Sequence, residues 1–166
     1  MNKKSIELLN RAVRDELTAV NQYMYFHFHL EDQGYDLLSA LFERTAIQEM
    51  GHVERLAERI LFLKGDVTMQ VAEEVKPVQD VAQMLEMACK MEESSARDYN
   101  LWANECAANA DSATRKIFEQ LVTEEEAHFG QFDNELAKVK QFGDRYLALQ
   151  SIERSKSMTS AGASAE

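Results

Sequence analysis

The fold class the sequence predicts is all-α, a four-helix bundle with one long crossover connection and a short fifth helix. Three observations predict it. Apolar residues make up 45% of the chain while six Gly and one Pro leave few helix breakers. Four runs of helical periodicity are each long enough for a bundle helix. The connection between the second and third runs is far longer than the other two.

Taking the elements in order, the first helix is expected from Ser5 to about Leu30, with Leu9, Val13, Leu17, Val20 and Met24 at helical spacing and Gly34 stopping it. The second run spans roughly Tyr35 to Lys64, through Leu38, Phe42, Thr45, Leu56 and Ile60, with Gly65 as its C-terminal cap. The third runs from about Val78, after Pro77, to Asn109. The fourth runs from about Ser112 to Gln141, with Asp111 or Ser112 as N-cap and Gly143 beyond its end. Short turns make helices one and two, and helices three and four, antiparallel hairpins. Residues 65 to 77, extended at about 3.3 Å each, reach about 43 Å, the length of a thirty-residue helix, so this connection can run the length of the bundle. A short amphipathic segment, DRYLALQSIER, forms the fifth helix. One domain is expected over residues 1–154, followed by a flexible Ser/Ala-rich tail over 155–166.

Composition excludes several function classes. A net charge of −11 argues against nucleic acid and suits an attraction for cations. Cys89 and Cys106 offer no disulfide framework and no C-x-x-C metal site. Their roughly 25 Å separation along one straight helix prevents them from bonding to each other. The N-terminus becomes charged before any apolar stretch long enough for a signal or a membrane span, so a cytoplasmic protein with no membrane partner is expected.

An internal repeat at an offset of 76 residues relates Glu16 to Glu92, Tyr23 to Tyr99, Phe42 to Phe118, Glu49 to Glu125 and His52 to His128. The hairpins are thus pseudo-copies about an approximate two-fold axis. In each, a Glu on the first helix is followed 33 residues later by a Glu-x-x-His on the second. Glu16 lies about 24 Å before the end of its helix and Glu49 about 21 Å after the start of the next, and the other hairpin gives about 25 and 20 Å. All four glutamates therefore meet at mid-bundle. They share faces with core residues, Glu16 with Leu9, Ala12, Ala19 and Tyr23, and Glu49 and His52 with Phe42, Thr45 and Leu56.

Four buried carboxylates repel one another and cost several kcal/mol each unless neutralised. Two divalent cations supply +4 against −4, and two imidazoles complete the ligand sets. Carboxylate with imidazole and no thiolate favours iron or manganese over structural zinc, and iron has the stronger claim by availability and by its ability to give one electron per metal to O₂ or H₂O₂. Tyr23 and Tyr99 are expected to hydrogen-bond the buried carboxylates. His27, His29 and Trp102 are expected to serve packing or surface roles.

The stretches DELTAVNQY, AIQEMGHVERLAERILFLKG and EEEAH resemble the ferritin-like carboxylate proteins, and most closely the bacterioferritins, over about residues 5 to 154. The resemblance implies a ferritin-like bundle, and a ferroxidase that oxidises Fe(II) and stores the mineral in a hollow shell. It implies two irons per subunit, one held by Glu16 and His52, the other by Glu92 and His128, with Glu49 and Glu125 bridging. It further implies a homo-oligomer of twenty-four subunits built from dimers, with the fifth helix near the four-fold axes, and a ferredoxin-type electron donor for iron release. Met50 is implied to ligate haem, of b type or a related porphyrin, shared between two subunits across a dimer axis. Met50 points away from the metal ligands and shares a stripe with Ala46, Val53 and Ala57, residues small enough to leave room for a porphyrin. Mid-helix Gly51 suggests a close approach there.

Three alternatives stand beside this reading. A Dps-like dodecamer consuming peroxide would carry a cysteine pair of which only Cys106 matches. A haem-binding shell subunit with little ferroxidase activity would be expected to have lost a carboxylate. Rubrerythrin-type peroxidases and manganese catalases carry a rubredoxin domain or a longer chain.

Overall fold

The computed structural model describes residues 3–163. Helix α1 spans Lys3–Asp32, α2 Asp36–Phe62, α3 Val81–Ala108, α4 Ser112–Phe142 and α5 Asp144–Ala163. The chain turns back sharply between α1 and α2 and between α3 and α4, and these two hairpins pack against each other through α1 with α3 and α2 with α4.

The turns repeat the pseudo-symmetry. After α1, Gly34 adopts φ 83° and the Tyr35 amide closes on the Leu30 carbonyl at 2.9 Å. Seventy-six residues later Ala110 adopts φ 56° and the Asp111 amide closes on the Cys106 carbonyl at the same distance. The left-handed residue is free of strain where it is glycine and strained where it is alanine. Asp111 then caps α4, accepting from the Thr114 amide and ion-pairing with Arg59 at 2.8 Å.

The long connection runs beside α1 from its N-terminal to its C-terminal end. Asn10 receives the Thr68 amide and donates to the Asp66 carbonyl; Thr18 receives the Ala72 amide; Gln22 exchanges two bonds with Lys76; and Gln33 donates to the Gln79 carbonyl. These side chains satisfy backbone groups that an isolated extended strand would leave without partners. They establish the one-crossover topology of the ferritin fold.

Three boundaries differ from expectation. Helix α3 begins at Val81, not Val78, because Asp80 caps it by accepting from the Gln83 amide. At the end of α2 the left-handed residue is Lys64, at φ 64°, not Gly65. Gly65 donates its amide to the Ile60 carbonyl, and a Cβ there would meet Ile6 Cγ2 at 2.8 Å, so any larger residue would have to push the Ile6 side chain aside. The fifth helix, expected to end at Arg154, continues to Ala163: propagation onto an already nucleated helix costs far less than starting one, although the Ser, Thr and Gly of this segment are weak helix formers. The last three residues of the expected tail, 164–166, lie outside the described residues. Gln150 anchors α5 to the bundle: it is buried and its Oε1 accepts the Leu38 amide, one of the free donors at the start of α2.

The apolar core is in two parts. One contains Tyr23, Phe26, Phe42, Ala88 and Phe132, the other Leu9, Val13, Leu56, Tyr99, Trp102 and Phe118. Between them lies a polar band at mid-bundle. Among the described residues no helix is long and apolar enough to cross a membrane.

Candidate metal centre

The polar band is built from one side chain per long helix plus one extra per hairpin. α1 contributes Glu16, α2 Glu49 and His52, α3 Glu92, and α4 Glu125 and His128, each at most 4% exposed. Glu and His three residues apart lie on one face of a helix, so each Glu-x-x-His aims both ligands at the same point. The structure gathers these six residues into two overlapping sets, Glu16–Glu49–His52–Glu125 and Glu49–Glu92–Glu125–His128, with the donor atoms of each set within 4.8 Å of one another. Glu49 and Glu125 belong to both sets.

His52 Nδ1 faces three carboxylates at once, Glu49 at 2.8 Å, Glu125 at 2.9 Å and Glu16 at 3.2 Å. His128 Nδ1 faces Glu49 at 3.0 Å, Glu125 at 3.6 Å and Glu92 at 3.7 Å. One ring nitrogen carries at most one hydrogen and cannot satisfy three acceptors. Accordingly both oxygens of Glu49, Glu125 Oε1 and His128 Nδ1 are buried with no hydrogen bond of acceptable geometry. Buried atoms of this kind cost about 1–3 kcal/mol each when unpaired, and a shared cation removes that cost. The donor set therefore fits two divalent metals of the iron or manganese class.

The titration behaviour follows from burial and proximity. Burial raises Glu16 well above the ordinary carboxylate range, and the charges of Glu125 and Glu49 add to it. Burial and then Glu49 do the same to Glu92. Glu49 and Glu125 are lowered despite burial, because His128 and His52 lie against them. Burial opposes the charged imidazoles too, but the carboxylates outweigh it, raising His52 strongly and pushing His128 up to about 12. Without metal, these directions favour the neutral form of Glu16 and Glu92 and the charged form of both imidazoles. Cation binding at this cluster therefore releases protons.

The next layer of partners is where sequence reasoning was incomplete. Tyr99 donates to Glu16 at 2.6 Å and Tyr23 donates to Glu92, each crossing to the glutamate of the other hairpin. Hydrogen bonding of both tyrosines to carboxylates was expected, but not this exchange. The outer nitrogens of the histidines also cross over: His52 Nε2 meets Glu124 Oε2 at 2.8 Å, and His128 Nε2 meets Gln48 Oε1 at 3.1 Å. Arg55 grips both oxygens of Glu124. Gln48 and Glu124 are themselves related by the 76-residue offset, each preceding a ligand glutamate, and that was the available signal. His27 is a packing residue, tied through Nδ1 to Ser39, while Trp102 lies in the core under Arg11. Cys89 and Cys106 are free and buried.

Met50 is 43% exposed on the outer face of α2 beside exposed Ile47, and a Cβ on Gly51 would meet nothing within 4 Å. The expected stripe is corrected here. Ala46 and Val53 are buried in the two halves of the core and cannot line an outer porphyrin pocket. Residues three or four apart are offset by about 60° and 40° around the helix, enough at the edge of the core for Ala46 and Val53 to be buried while Met50 is exposed.

A one-crossover bundle enclosing two carboxylate-bridged histidine sites defines the class: a ferritin-like protein with a buried di-iron-type centre. Residues 6–142 match the family model described as Ferritin, ferritin-like domain. The chain is 37% identical to the bacterioferritin of Desulfovibrio desulfuricans over 145 residues, covering 87% of this chain and 81% of that one. It is 33% identical to the bacterioferritin of Rhodobacter capsulatus over 147 residues, covering 88% and 91%. A crystal structure of the D. desulfuricans bacterioferritin, with its di-iron site reduced in solution and allowed to reoxidise before crystallisation, superimposes with a TM-score of 0.88 at 36% identity, covering 89% of this chain and 86% of that one. The chain belongs to the bacterioferritin family of iron-storage proteins.

Proposed function

We propose that the chain is a ferroxidase subunit that takes Fe(II) as substrate at the mid-bundle centre, oxidises it with O₂ or H₂O₂, and stores the Fe(III) product in the cavity of a homo-oligomeric shell in the cytoplasm. The sharing of Glu49 and Glu125 between two ligand sets carries this reading, because it fixes two irons at one separation. Two bound irons supply the two electrons that O₂ or H₂O₂ accepts. The protein's own part is to hold and exchange charge. Glu16 with His52, and Glu92 with His128, each hold one position, and Glu49 with Glu125 span both. The tyrosine hydroxyls fix the two terminal glutamates by donating to them. Both core halves exclude water on either side, so charge–charge attraction at the site is little screened.

Glu125→Ala leaves three carboxylates to face +4 and removes a ligand common to both positions. Stopped-flow mixing with two Fe(II) per subunit is expected to show loss of the fast oxidation phase. A wild-type rate in that variant would refute the shared-ligand mechanism.

The finer assignments rest on the same footing. A twenty-four-subunit shell built from dimers is supported by the family and by α5, whose Leu149 and Ile152 are exposed in the single chain. Haem shared between two subunits through Met50 is supported by the exposed Met50 side chain and by the open space over Gly51. Met50→Leu is expected to abolish haem uptake, read from the visible spectrum, with the shell still assembled. Haem retained at wild-type stoichiometry would exclude Met50 as ligand.

A further inference from the structure

The two metal positions share two carboxylates and have matching tyrosines, yet they differ behind their histidines. His52 is backed by a carboxylate, Glu124, which is held in place by both nitrogens of Arg55. His128 is backed by the neutral amide of Gln48. These are the same positions of the pseudo-repeat, so the difference is one of residue type and not of architecture. Glu124 can only accept, so it holds a proton on His52 Nε2 and leaves Nδ1 as the nitrogen that would face a cation at the position the three carboxylates surround. An anionic acceptor also draws that proton and makes the opposite nitrogen a stronger donor, more so than an amide oxygen does.

We propose that Glu124 makes the Glu16/His52 position the tighter of the two, filled first by a divalent cation, and that Gln48 leaves the Glu92/His128 position the weaker. The inference rests on the di-metal reading of the cluster and adds the order of filling. A second observation points the same way. Three carboxylate oxygens lie 2.8–3.2 Å from His52 Nδ1, whereas those around His128 Nδ1 lie 3.0–3.7 Å away. Arg55 places a positive charge nearby, but it is 37% exposed and therefore screened, whereas the Glu124 effect passes through a direct hydrogen bond. Glu124 is thus a positioning residue that acts through His52.

Co(II) loading of the metal-free full-length protein gives a readout independent of oxidation. With one Co(II) per subunit, anomalous diffraction from wild-type crystals is expected to place the ion beside His52. Glu124→Gln keeps side-chain shape and an acceptor for His52, and should weaken the first step of a Co(II) titration about tenfold. The reciprocal exchange, Glu124→Gln with Gln48→Glu, should move the first ion to His128. First occupancy beside His128 or an even split in the wild type, or an ion that stays beside His52 after the exchange, overturns the proposal. Failure of the di-metal reading looks different: fewer than two Co(II) would bind at the six-residue cluster. If the variants do not assemble, the wild-type occupancy alone still decides the proposal.

Discussion

Replacing Tyr99 with Phe removes one hydroxyl and leaves the ring packed against Trp102 and Phe118, with centroids 5.5 and 5.8 Å away. The hydroxyl donates to Glu16, whose carboxyl is raised well above its ordinary range by burial and by the charges of Glu125 and Glu49, which favours the neutral form when no cation is bound. In that state the lost bond is neutral and costs about 1 kcal/mol of stability. With a cation bound Glu16 is ionised, and a hydrogen bond to a charged acceptor contributes about 1.5–3 kcal/mol. The difference, about 1 kcal/mol, weakens the cation held by Glu16 and His52 about fivefold. Tyr23→Phe should act in the same way on the Glu92 and His128 position. Isothermal titration of the metal-free protein with Co(II) should show Tyr99→Phe weakening the first step and Tyr23→Phe the second. Tyr99→Ala is the packing control, expected to cost about 3–5 kcal/mol of fold stability through the cavity it leaves. If Tyr99→Phe binds Co(II) like wild type and melts at the same temperature, the hydroxyl contributes nothing to Glu16 and this reasoning fails.

Two further predictions concern the scaffold. Ala110→Gly relieves a left-handed alanine at the turn where the matching position of the other hairpin is Gly34, and should stabilise the chain by about 1 kcal/mol, seen as a higher melting temperature. Asp15 is pushed up to about 6 from 3.8, by burial first and then by Asp98. A carboxyl raised on folding binds more protons folded than unfolded between those values, so its burden is absent below about pH 4 and grows as pH rises to about 6. Asp15→Asn should therefore be more stable than wild type at pH 7, by about 1 kcal/mol after discounting for partial exposure, with the gain vanishing near pH 4 in denaturant unfolding.

Much of this protein was legible in the sequence because its chemistry is written twice. Glu16 and Glu92, Glu49 and Glu125, and His52 and His128 stand at one offset, and the 3.6-residue turn places each on a core-facing stripe. Helix lengths and the long connection then set the height at which they meet, without any knowledge of packing. Tertiary structure alone decided what lies across a helix interface. Whether Tyr99 reaches Glu92 on its own helix or Glu16 on another depends on the rotation and spacing of α1 against α3, which no local period encodes. The same holds for Glu124 and Gln48 behind the opposite histidines, and for the burial of Ala46 and Val53 that removed them from the Met50 face. Local spacing fixes which residues share a face of one helix, but only the packing of all four helices fixes how far each face is turned, and a rotation of a few tens of degrees exchanges one partner for another.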